Sequence, residues 1–209
     1  MRIRRNPLDQ RRRILKAAKR MFAQKGFART NNDEIARAAG ITRTLLYHYF
    51  QSKEDILNAI MLEALDQIDL LLKDVTTRGG SAAIQIRLLV NGYFDFMAAQ
   101  PGLAELLVDQ GAMALELKTP LYETRVTHLR QHLLEWVTSL AGSMSPSFDP
   151  DQFALIALGA IFFWFLPTPF GRALGADGAN DQEAGDRYKK AVCDVLIGWI
   201  ANSSQGSAP

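Results

Sequence analysis

The sequence predicts an all-α protein, and three observations support this prediction. Apolar residues recur at helical spacing through nearly all of the 209 residues. No segment shows the alternation of apolar and polar residues that is typical of a half-buried strand. Glycines, prolines and helix-capping residues divide the chain into pieces of helical length, and about nine helices are expected.

Two helices are expected before residue 40. The first runs from about Asp9 to Lys25 and is followed by a glycine that can close a helix in the left-handed conformation. Asp33 is typical of a helix start, and a short second helix is expected from there to Ala39.

A third, short helix is expected from Arg43 to Phe50, after a turn centred on Gly40. Thr42 can cap this helix, because its hydroxyl can accept a hydrogen bond from an amide of the first turn. At about 100° per residue the side chains separate into two arcs. One arc is polar and carries Arg43, Tyr47, Thr44 and His48. The other can pack against the second helix and carries Leu45, Tyr49, Leu46 and Phe50.

The rest of the chain is expected to form a long fourth helix and five more. Ser52 and Asp55 have the spacing of a capping box, and a long apolar stripe follows them as far as the glycine pair at residues 79 and 80. This fourth helix is expected to link the two halves of the chain. The later helices are expected to start near Ser81, Pro101, Thr119, Asp149 and Asp181.

Positive charge is concentrated at the start of the chain. Residues 1–58 carry fourteen Lys and Arg against five Asp and Glu, a net charge of +9, whereas residues 59–209 carry ten against seventeen, a net charge of −7. A basic end is what attraction to nucleic-acid phosphates requires, although a solvated basic tail has the same composition. Together with the helix, turn and helix around Gly40, it predicts a DNA-binding domain in residues 1–58.

Three short segments around this turn identify a family resemblance. They are IARAAGIT from Ile35, LYHYF from Leu46 and SKE from Ser52. They resemble, without gaps, the tetracycline-repressor-like (TetR) family of bacterial transcription regulators over about the first sixty residues. The resemblance implies a homodimer with a three-helix DNA-binding head and a helical body that holds an inducing small molecule. Residues 59–209 would then form the ligand-binding and dimerisation domain.

Carried over residue by residue, the resemblance also implies roles in DNA binding. Base contacts in the major groove are implied for Arg43, Thr44 and Leu45. Phosphate contacts are implied for Tyr47, His48, Tyr49 and Lys53. The chemistry of Arg43 suits a guanine, because a guanidinium can donate to O6 and N7 together. Leu45 and Tyr49 lie on the packing arc, so a core role stays open for both.

Two departures from the family pattern concern the surface that would face DNA. Asn32 stands where the family commonly has an apolar residue, and Thr44 replaces a frequent glycine. Asn31 or Asn32 can cap the second helix and reach a phosphate, and a purely structural cap is the alternative. The predicted DNA-binding residues are therefore Asn31, Asn32, Thr42, Arg43, Thr44, Leu45, Tyr47, His48, Tyr49 and Lys53.

Residues 153–170 form a run without charge, and the sequence predicts that a second subunit covers it. A membrane span requires roughly twenty apolar residues, and this run includes two prolines and has no adjacent basic flank. No membrane association is expected. A helix that is apolar on nearly every side needs cover on nearly every side, and the last helix offers a matching stripe. The predicted dimer interface contains Phe153, Ile156, Ala160, Phe163, Trp164, Val192, Leu196 and Trp199. The dimer would present two reading helices to a palindromic operator.

Aromatic and methionine side chains on the middle helices suggest an effector site. Helical periodicity places them inward without showing whether the interior is filled, so plain core packing is the alternative. Few charges lie among them, which favours a hydrophobic effector such as a fatty acyl or aromatic compound. The predicted ligand-binding residues are Tyr93, Phe94, Met97, Met113, Trp136 and Phe162.

Several classes of protein are not expected. The single cysteine excludes an internal disulfide framework, and the first residues lack the apolar run of a secretory signal, so the sequence predicts a cytoplasmic protein. His128 and His132 lie four residues apart but lack a Glu-containing zinc motif, and we interpret them as a surface pair. No phosphate loop or nucleophile elbow occurs, so neither catalysis nor a cofactor or metal is expected.

The sequence therefore predicts a homodimeric repressor that a hydrophobic small molecule releases from DNA. Two alternatives stay open. One is a ligand-independent regulator whose C-terminal domain only dimerises, and the other is a helical interaction protein or membrane-associated adaptor whose basic head meets acidic protein or lipid.

Overall fold

The computed structural model describes residues 7–104, 106–107, 119–141, 148–166 and 182–205. In these residues it contains no strand, and the predicted all-α class is confirmed. Eight helices have both ends in the described part of the chain, against about nine expected. They are α1 (Pro7–Lys25), α2 (Asn32–Ala39), α3 (Arg43–Tyr49), α4 (Lys53–Arg78), α5 (Ala82–Ala98), α6 (Pro120–Ala141), α7 (Pro150–Phe165) and α8 (Gln182–Gln205).

Helix α2 begins one residue before the predicted start at Asp33, because Asn31 caps it. The Asn31 side-chain oxygen accepts from the Glu34 amide at 2.9 Å, and Glu34 Oε2 accepts from the Asn31 amide at 3.2 Å. This reciprocal pair is a capping box, which satisfies two amides that a helix start leaves without partners. Of the two asparagines, Asn31 is therefore the cap, and Asn32 is the first residue of the helix.

The turn between α2 and α3 has the predicted local chemistry. Gly40 has φ 63°, in the left-handed region that favours glycine. The Arg13 guanidinium donates to the Ala39 carbonyl oxygen at 2.7 Å and so satisfies one acceptor at the end of α2. The Thr42 hydroxyl accepts from the Leu45 amide at 3.2 Å, as predicted for the cap of α3. These contacts fix the direction in which α3 leaves the turn.

The start of α4 also has the predicted reciprocal cap. The Ser52 hydroxyl accepts from the Asp55 amide at 3.0 Å, and Asp55 Oδ2 accepts from the Ser52 and Gln51 amides at 3.1 Å each. Local sequence signals therefore determine the starts of both α3 and α4.

The described chain divides into two compact units. The first comprises Met1–Ala64 and Gln100–Glu123, and the second comprises Leu65–Ala99 and Thr124–Pro209. The boundary lies inside α4, after Ala64, and the first unit includes a later segment of the chain. The division into residues 1–58 and 59–209 stays a prediction. The core of the first unit includes the buried side chains of Ile14, Leu15, Ala18, Phe22, Ile35, Ala36, Leu46, Phe50, Ile56 and Ile60.

In the second unit α5, α7 and α8 pack through aromatic side chains. The Phe94 ring lies 5.3 Å from the Phe165 ring, and the Trp164 ring stacks on Tyr188 at 4.8 Å, measured between centroids. The Tyr188 hydroxyl donates to the Ala160 carbonyl oxygen at 2.8 Å. Among the described residues, none of the helices combines the length and the apolar character that crossing a bilayer requires.

Candidate nucleic-acid interface

Helix α3 has one buried edge and one exposed polar face. Leu46 is fully buried and Phe50 nearly so, whereas Arg43, Tyr47 and His48 are exposed. Thr42 and Thr44 are exposed as well. Leu45 and Tyr49, for which both a core role and a DNA contact were open, are half-buried. The two arcs predicted from the helical period are therefore present, with these two residues at the border between them.

Arg43 lies in a small polar network that joins α3 to the start of α2. Its Nη1 donates to Asp33 Oδ2 at 3.0 Å, its Nη2 donates to the Tyr47 hydroxyl at 3.5 Å, and its Cζ lies 5.4 Å from the centre of the Tyr47 ring. Asn32 Nδ2 donates to the same hydroxyl at 3.2 Å. The network holds the guanidinium over the exposed face of α3.

The electrostatics of this network favour a fixed positive charge on an exposed side chain. The hydrogen bond with Tyr47 and the charge of Asp33 raise the pKa of the Arg43 guanidinium, and hydrogen bonds from Asn32 and Arg43 lower the pKa of the Tyr47 phenol. Both partners of the Arg43 and Asp33 ion pair are largely exposed. An exposed ion pair contributes little free energy, so a base or a phosphate can replace Asp33 at small cost.

An open cleft of about 530 Å³ lies between the start of α2, helix α3 and the start of α4. It is lined by Ala28, Thr30, Asn31, Asn32, Asp33, Arg43, Tyr47, Gln51, Ser52, Lys53 and Glu54. The structure thus brings together Asn31, Asn32, Arg43, Tyr47 and Lys53 from the predicted DNA-binding set. The other predicted residues, Thr42, Thr44, Leu45, His48 and Tyr49, do not line this cleft.

Lys53 has intramolecular partners for its ammonium group. Its Nζ donates to the carbonyl oxygens of Phe27 at 2.8 Å, Thr30 at 3.0 Å and Ala28 at 3.4 Å, and it lies 4.3 Å from the centre of the Phe27 ring. These contacts hold the turn between α1 and α2 against α4. The phosphate contact implied by the family resemblance stays a prediction, and the geometry assigns Lys53 a structural role in the free protein.

Lys53→Met is expected to destabilise the first unit by about 1–3 kcal/mol, because it removes the charged donor from the part-buried hydrogen bonds to the Phe27 and Thr30 carbonyl oxygens. Chemical denaturation followed by circular dichroism measures this loss. Lys25→Met is the matched control, since Lys25 pairs with Glu34 on the exposed surface, and its expected loss is below about 1 kcal/mol. Equal losses in the two variants would contradict the structural role of Lys53.

Further basic side chains are exposed elsewhere in the first unit. Arg11, Arg12, Lys16, Arg20, Arg29 and Arg37 are exposed in the first unit. Exposed basic groups on one domain attract the phosphate backbone independently of sequence, and they raise the rate of encounter with DNA. The uneven charge distribution of the sequence is therefore present on the surface of this unit.

Four of the six predicted ligand-binding residues are buried in the second unit. Tyr93, Phe94, Met97 and Trp136 are buried and Phe162 is half-buried, whereas Met113 lies outside the described residues. Burial raises the pKa of the Tyr93 phenol to about 12. Trp136 Nε1 donates to Gln85 Oε1 at 3.0 Å. Burial is what both an effector site and a plain core require, so these assignments stay predictions.

The predicted dimer residues divide into two groups. Phe153, Trp164, Val192 and Leu196 are buried within the chain, and their assignment to the subunit interface stays a prediction. Ile156 and Phe163 are exposed, and Ala160 and Trp199 are half-buried. Leu155 and Leu158, which were not in the predicted interface set, are exposed as well, and so is Val195 on α8.

Comparison with known proteins supports the interpretation of the first unit as a DNA-binding domain. Residues 14–60 match the profile of the bacterial regulatory proteins of the tetR family. The HTH-type transcriptional repressor KstR2 of Mycolicibacterium smegmatis is 26% identical over 184 residues, which cover 84% of this chain and 87% of the relative. The fatty acid metabolism regulator protein of Bacillus subtilis is 28% identical over 91 residues, which cover 44% of this chain and 47% of the relative.

Solved structures show the same fold over nearly the whole length. The ketosteroid transcriptional regulator KstR2 of Mycobacterium tuberculosis has a TM-score of 0.69 at 20% identity, covering 90% of this chain and 93% of that one. The regulator FadR of Bacillus subtilis in complex with stearoyl-CoA has a TM-score of 0.64 at 18% identity, covering 89% of this chain and 97% of that one. Both proteins share the all-helical architecture with this chain.

Proposed function

Because this chain is a TetR-family transcriptional regulator, we propose that it is a homodimeric repressor that binds a palindromic operator and leaves it when a hydrophobic effector binds. The observation that carries the proposal is the exposed polar face of α3, with Arg43 held over it in a basic unit. A short helix of this kind fits the major groove, where each base pair presents a distinct pattern of donors and acceptors.

In the proposed complex Arg43 contacts base edges, and neighbouring residues contact the phosphate backbone of the DNA. The guanidinium exchanges Asp33 for guanine O6 and N7, and the exposed Thr44 hydroxyl lies next to it on the same face. Tyr47 and His48 reach phosphates, which fix position without reading sequence. Asn31 and Asn32, at the start of α2, line the same cleft as Arg43.

A selection of genomic fragments by the purified protein tests the proposal. We expect recovered fragments to share a palindromic sequence and to bind, in fluorescence anisotropy, at least about a thousandfold more tightly than a random duplex of equal length. The affinity for both duplexes should fall with salt, because the phosphate contacts are common to them. Equal affinity for recovered and random duplexes would contradict an operator-binding function, and it is the result that the adaptor alternative predicts.

The proposed dimer rests on the exposed apolar face of α7 and α8. Leu155 is 72% exposed and Ile156 49% exposed, and Leu158, Phe163 and Val195 are exposed as well. Contiguous apolar surface of this kind marks an interaction site. A second copy of the chain supplies an equivalent face, and two helices from each chain would form a four-helix interface.

The proposed effector is a hydrophobic acyl or steroid-like compound. Buried aromatic and sulfur-containing side chains in the second unit, Tyr93, Phe94, Met97 and Trp136, supply the apolar surface such a compound needs. The names of two relatives refer to fatty acid metabolism and to ketosteroids, and one related structure contains stearoyl-CoA. Binding in this unit would reach the DNA-binding unit through α4, whose residues belong to both.

Long-chain acyl-CoA is expected to weaken operator binding by about 5–150-fold, the usual range of allosteric coupling. One experiment measures operator affinity at increasing acyl-CoA concentration. A second experiment measures acyl-CoA affinity with and without operator. The two factors must agree, since the coupling free energy is reciprocal. Decyl sulfate serves as the control for detergent-like effects.

The tight burial of Tyr93, Phe94, Met97 and Trp136 also favours a second candidate, a ligand-independent regulator with a filled core. Operator affinity that stays unchanged with acyl-CoA and with ketosteroids would support this candidate and remove the effector from the proposal.

A further inference from the structure

A second cluster of chemically reactive side chains lies in the second unit, where individual side chains of α4 and α6 meet. It consists of Asp69 on α4 and of His128 and His132 on α6, and one ligand atom from each lies within 4.8 Å of the other two. Asp69 Oδ1 lies 2.8 Å from His132 Nδ1 and 4.0 Å from His128 Nδ1. The two imidazole rings are 5.1 Å apart, measured between centroids.

These distances suit a tetrahedral cation. Zinc binds imidazole nitrogen and carboxylate oxygen at about 2.0–2.2 Å, which places two ligand atoms of a tetrahedral site about 3.3 Å apart. The two separations from Asp69 Oδ1 fall on either side of that value. Small rotations of the two imidazole rings therefore bring all three atoms to coordination distance.

The surroundings of the cluster also fit a metal site. Lys73 Nζ donates to Asp69 Oδ2 at 2.6 Å, so Oδ1 is the oxygen that faces the histidines. Burial acts to raise the pKa of the Asp69 carboxyl, but hydrogen bonds from Lys73 and His132 hold this pKa below its usual value. The carboxylate ligand therefore stays ionised. The Lys73 ammonium opposes a cation, but its side chain is largely exposed and can turn toward water.

The cluster combines a buried anchor with an accessible side. The Asp69 side chain is 13% exposed, whereas the His128 side chain is 54% exposed. A cation can enter from the His128 side, and a water molecule can occupy the fourth position. Three protein ligands with one open position are the arrangement of zinc sites that exchange a ligand rather than of closed structural sites.

We propose that Asp69, His128 and His132 form a binding site for one divalent cation of the zinc type. Two imidazoles and a carboxylate favour zinc, nickel or copper over calcium and magnesium, which prefer oxygen ligands. The bound cation would join α4 to α6 inside the second unit. The sequence alone did not indicate Asp69 as a third ligand, because it lies 63 residues from His132 along the chain.

Isothermal titration of the metal-free full-length protein with Zn²⁺ tests the proposal, and the absorption spectrum of bound Co²⁺ reports coordination geometry. We expect one equivalent of Zn²⁺ for each chain and a tetrahedral Co²⁺ spectrum. Asp69→Asn and His128→Gln should each weaken binding by at least about 10–100-fold, the effect known for lesser changes around metal ligands. Circular dichroism checks that both variants retain their helices.

His48→Gln is the matched control, because His48 is the third histidine of the chain and lies in the other unit. This variant should bind Zn²⁺ with unchanged affinity. Wild-type protein that binds no Zn²⁺, or Asp69→Asn protein that binds it as tightly as wild type, would overturn the proposal. The second result would leave only an adventitious pair of surface histidines. Operator binding is not part of this test, so its outcome is independent of the proposed function.

Discussion

Arg43→Ala is expected to reduce the preference for operator over random DNA much more than it reduces binding to random DNA. A bidentate contact from arginine to guanine contributes about 1–3 kcal/mol of discrimination, and a dimer would make it twice, so the expected loss is about 2–6 kcal/mol. The guanidinium is also one positive charge among many in a basic unit, and its general attraction to phosphate is a smaller contribution. Discrimination should therefore fall while nonspecific affinity changes little.

Arg37→Ala provides the matched control for Arg43→Ala. Arg37 is an exposed arginine on α2 in the same unit, and it does not line the cleft. Fluorescence anisotropy with operator and with a scrambled duplex, each at two salt concentrations, separates the two contributions for both variants. We expect Arg37→Ala to weaken both duplexes by a similar small factor. If Arg43→Ala does the same, Arg43 is a phosphate contact and the base reading assigned to it is wrong.

The parts of the site that could be predicted from the sequence depend on neighbours within a few residues. The cap by Thr42, the left-handed turn at Gly40 and the reciprocal pair of Ser52 and Asp55 each involve residues no more than four apart, and the structure contains all three. The two faces of α3 follow from the helical period alone. Local chemistry and periodicity were sufficient to place the exposed polar helix.

The remaining contacts join residues that are distant in sequence. Arg43 meets Asp33 across the turn, ten residues away, and Lys53 reaches carbonyl oxygens 23 to 26 residues before it. The family resemblance implied a phosphate contact for Lys53. The sequence alone could not indicate its intramolecular acceptors, because they are backbone carbonyl oxygens, which every residue type carries. Long-range partners of this kind are determined by how helices pack, and spacing along one chain does not encode them.

The predicted interface residues show that helical periodicity also has a limit in predicting which side chains the same chain buries. Periodicity indicated that α7 needs cover on most sides, and this is correct for Phe153 and Trp164, which other parts of the same chain bury. It could not show which side the chain itself covers. Leu155 and Leu158 are among the side chains left exposed, and they were not in the predicted set.

Ile156→Glu and Phe163→Glu are each expected to convert the proposed dimer to monomers. Both side chains are exposed on the apolar face of α7. In a two-fold interface each substitution places two carboxylates in apolar surroundings, where an unpaired charge loses its hydration without compensation. We expect association to weaken by at least about 100-fold, measured by sedimentation equilibrium.

Ile84→Glu is the matched control, since Ile84 is equally apolar and exposed but lies near the start of α5. This variant should remain dimeric. Because each half of a palindrome binds one head, monomeric Ile156→Glu protein should also lose most of its operator affinity while it keeps the nonspecific affinity of a single head. Ile156→Glu and Phe163→Glu proteins that stay dimeric would show that this face does not hold the subunits together, and monomeric wild-type protein would remove the dimer itself.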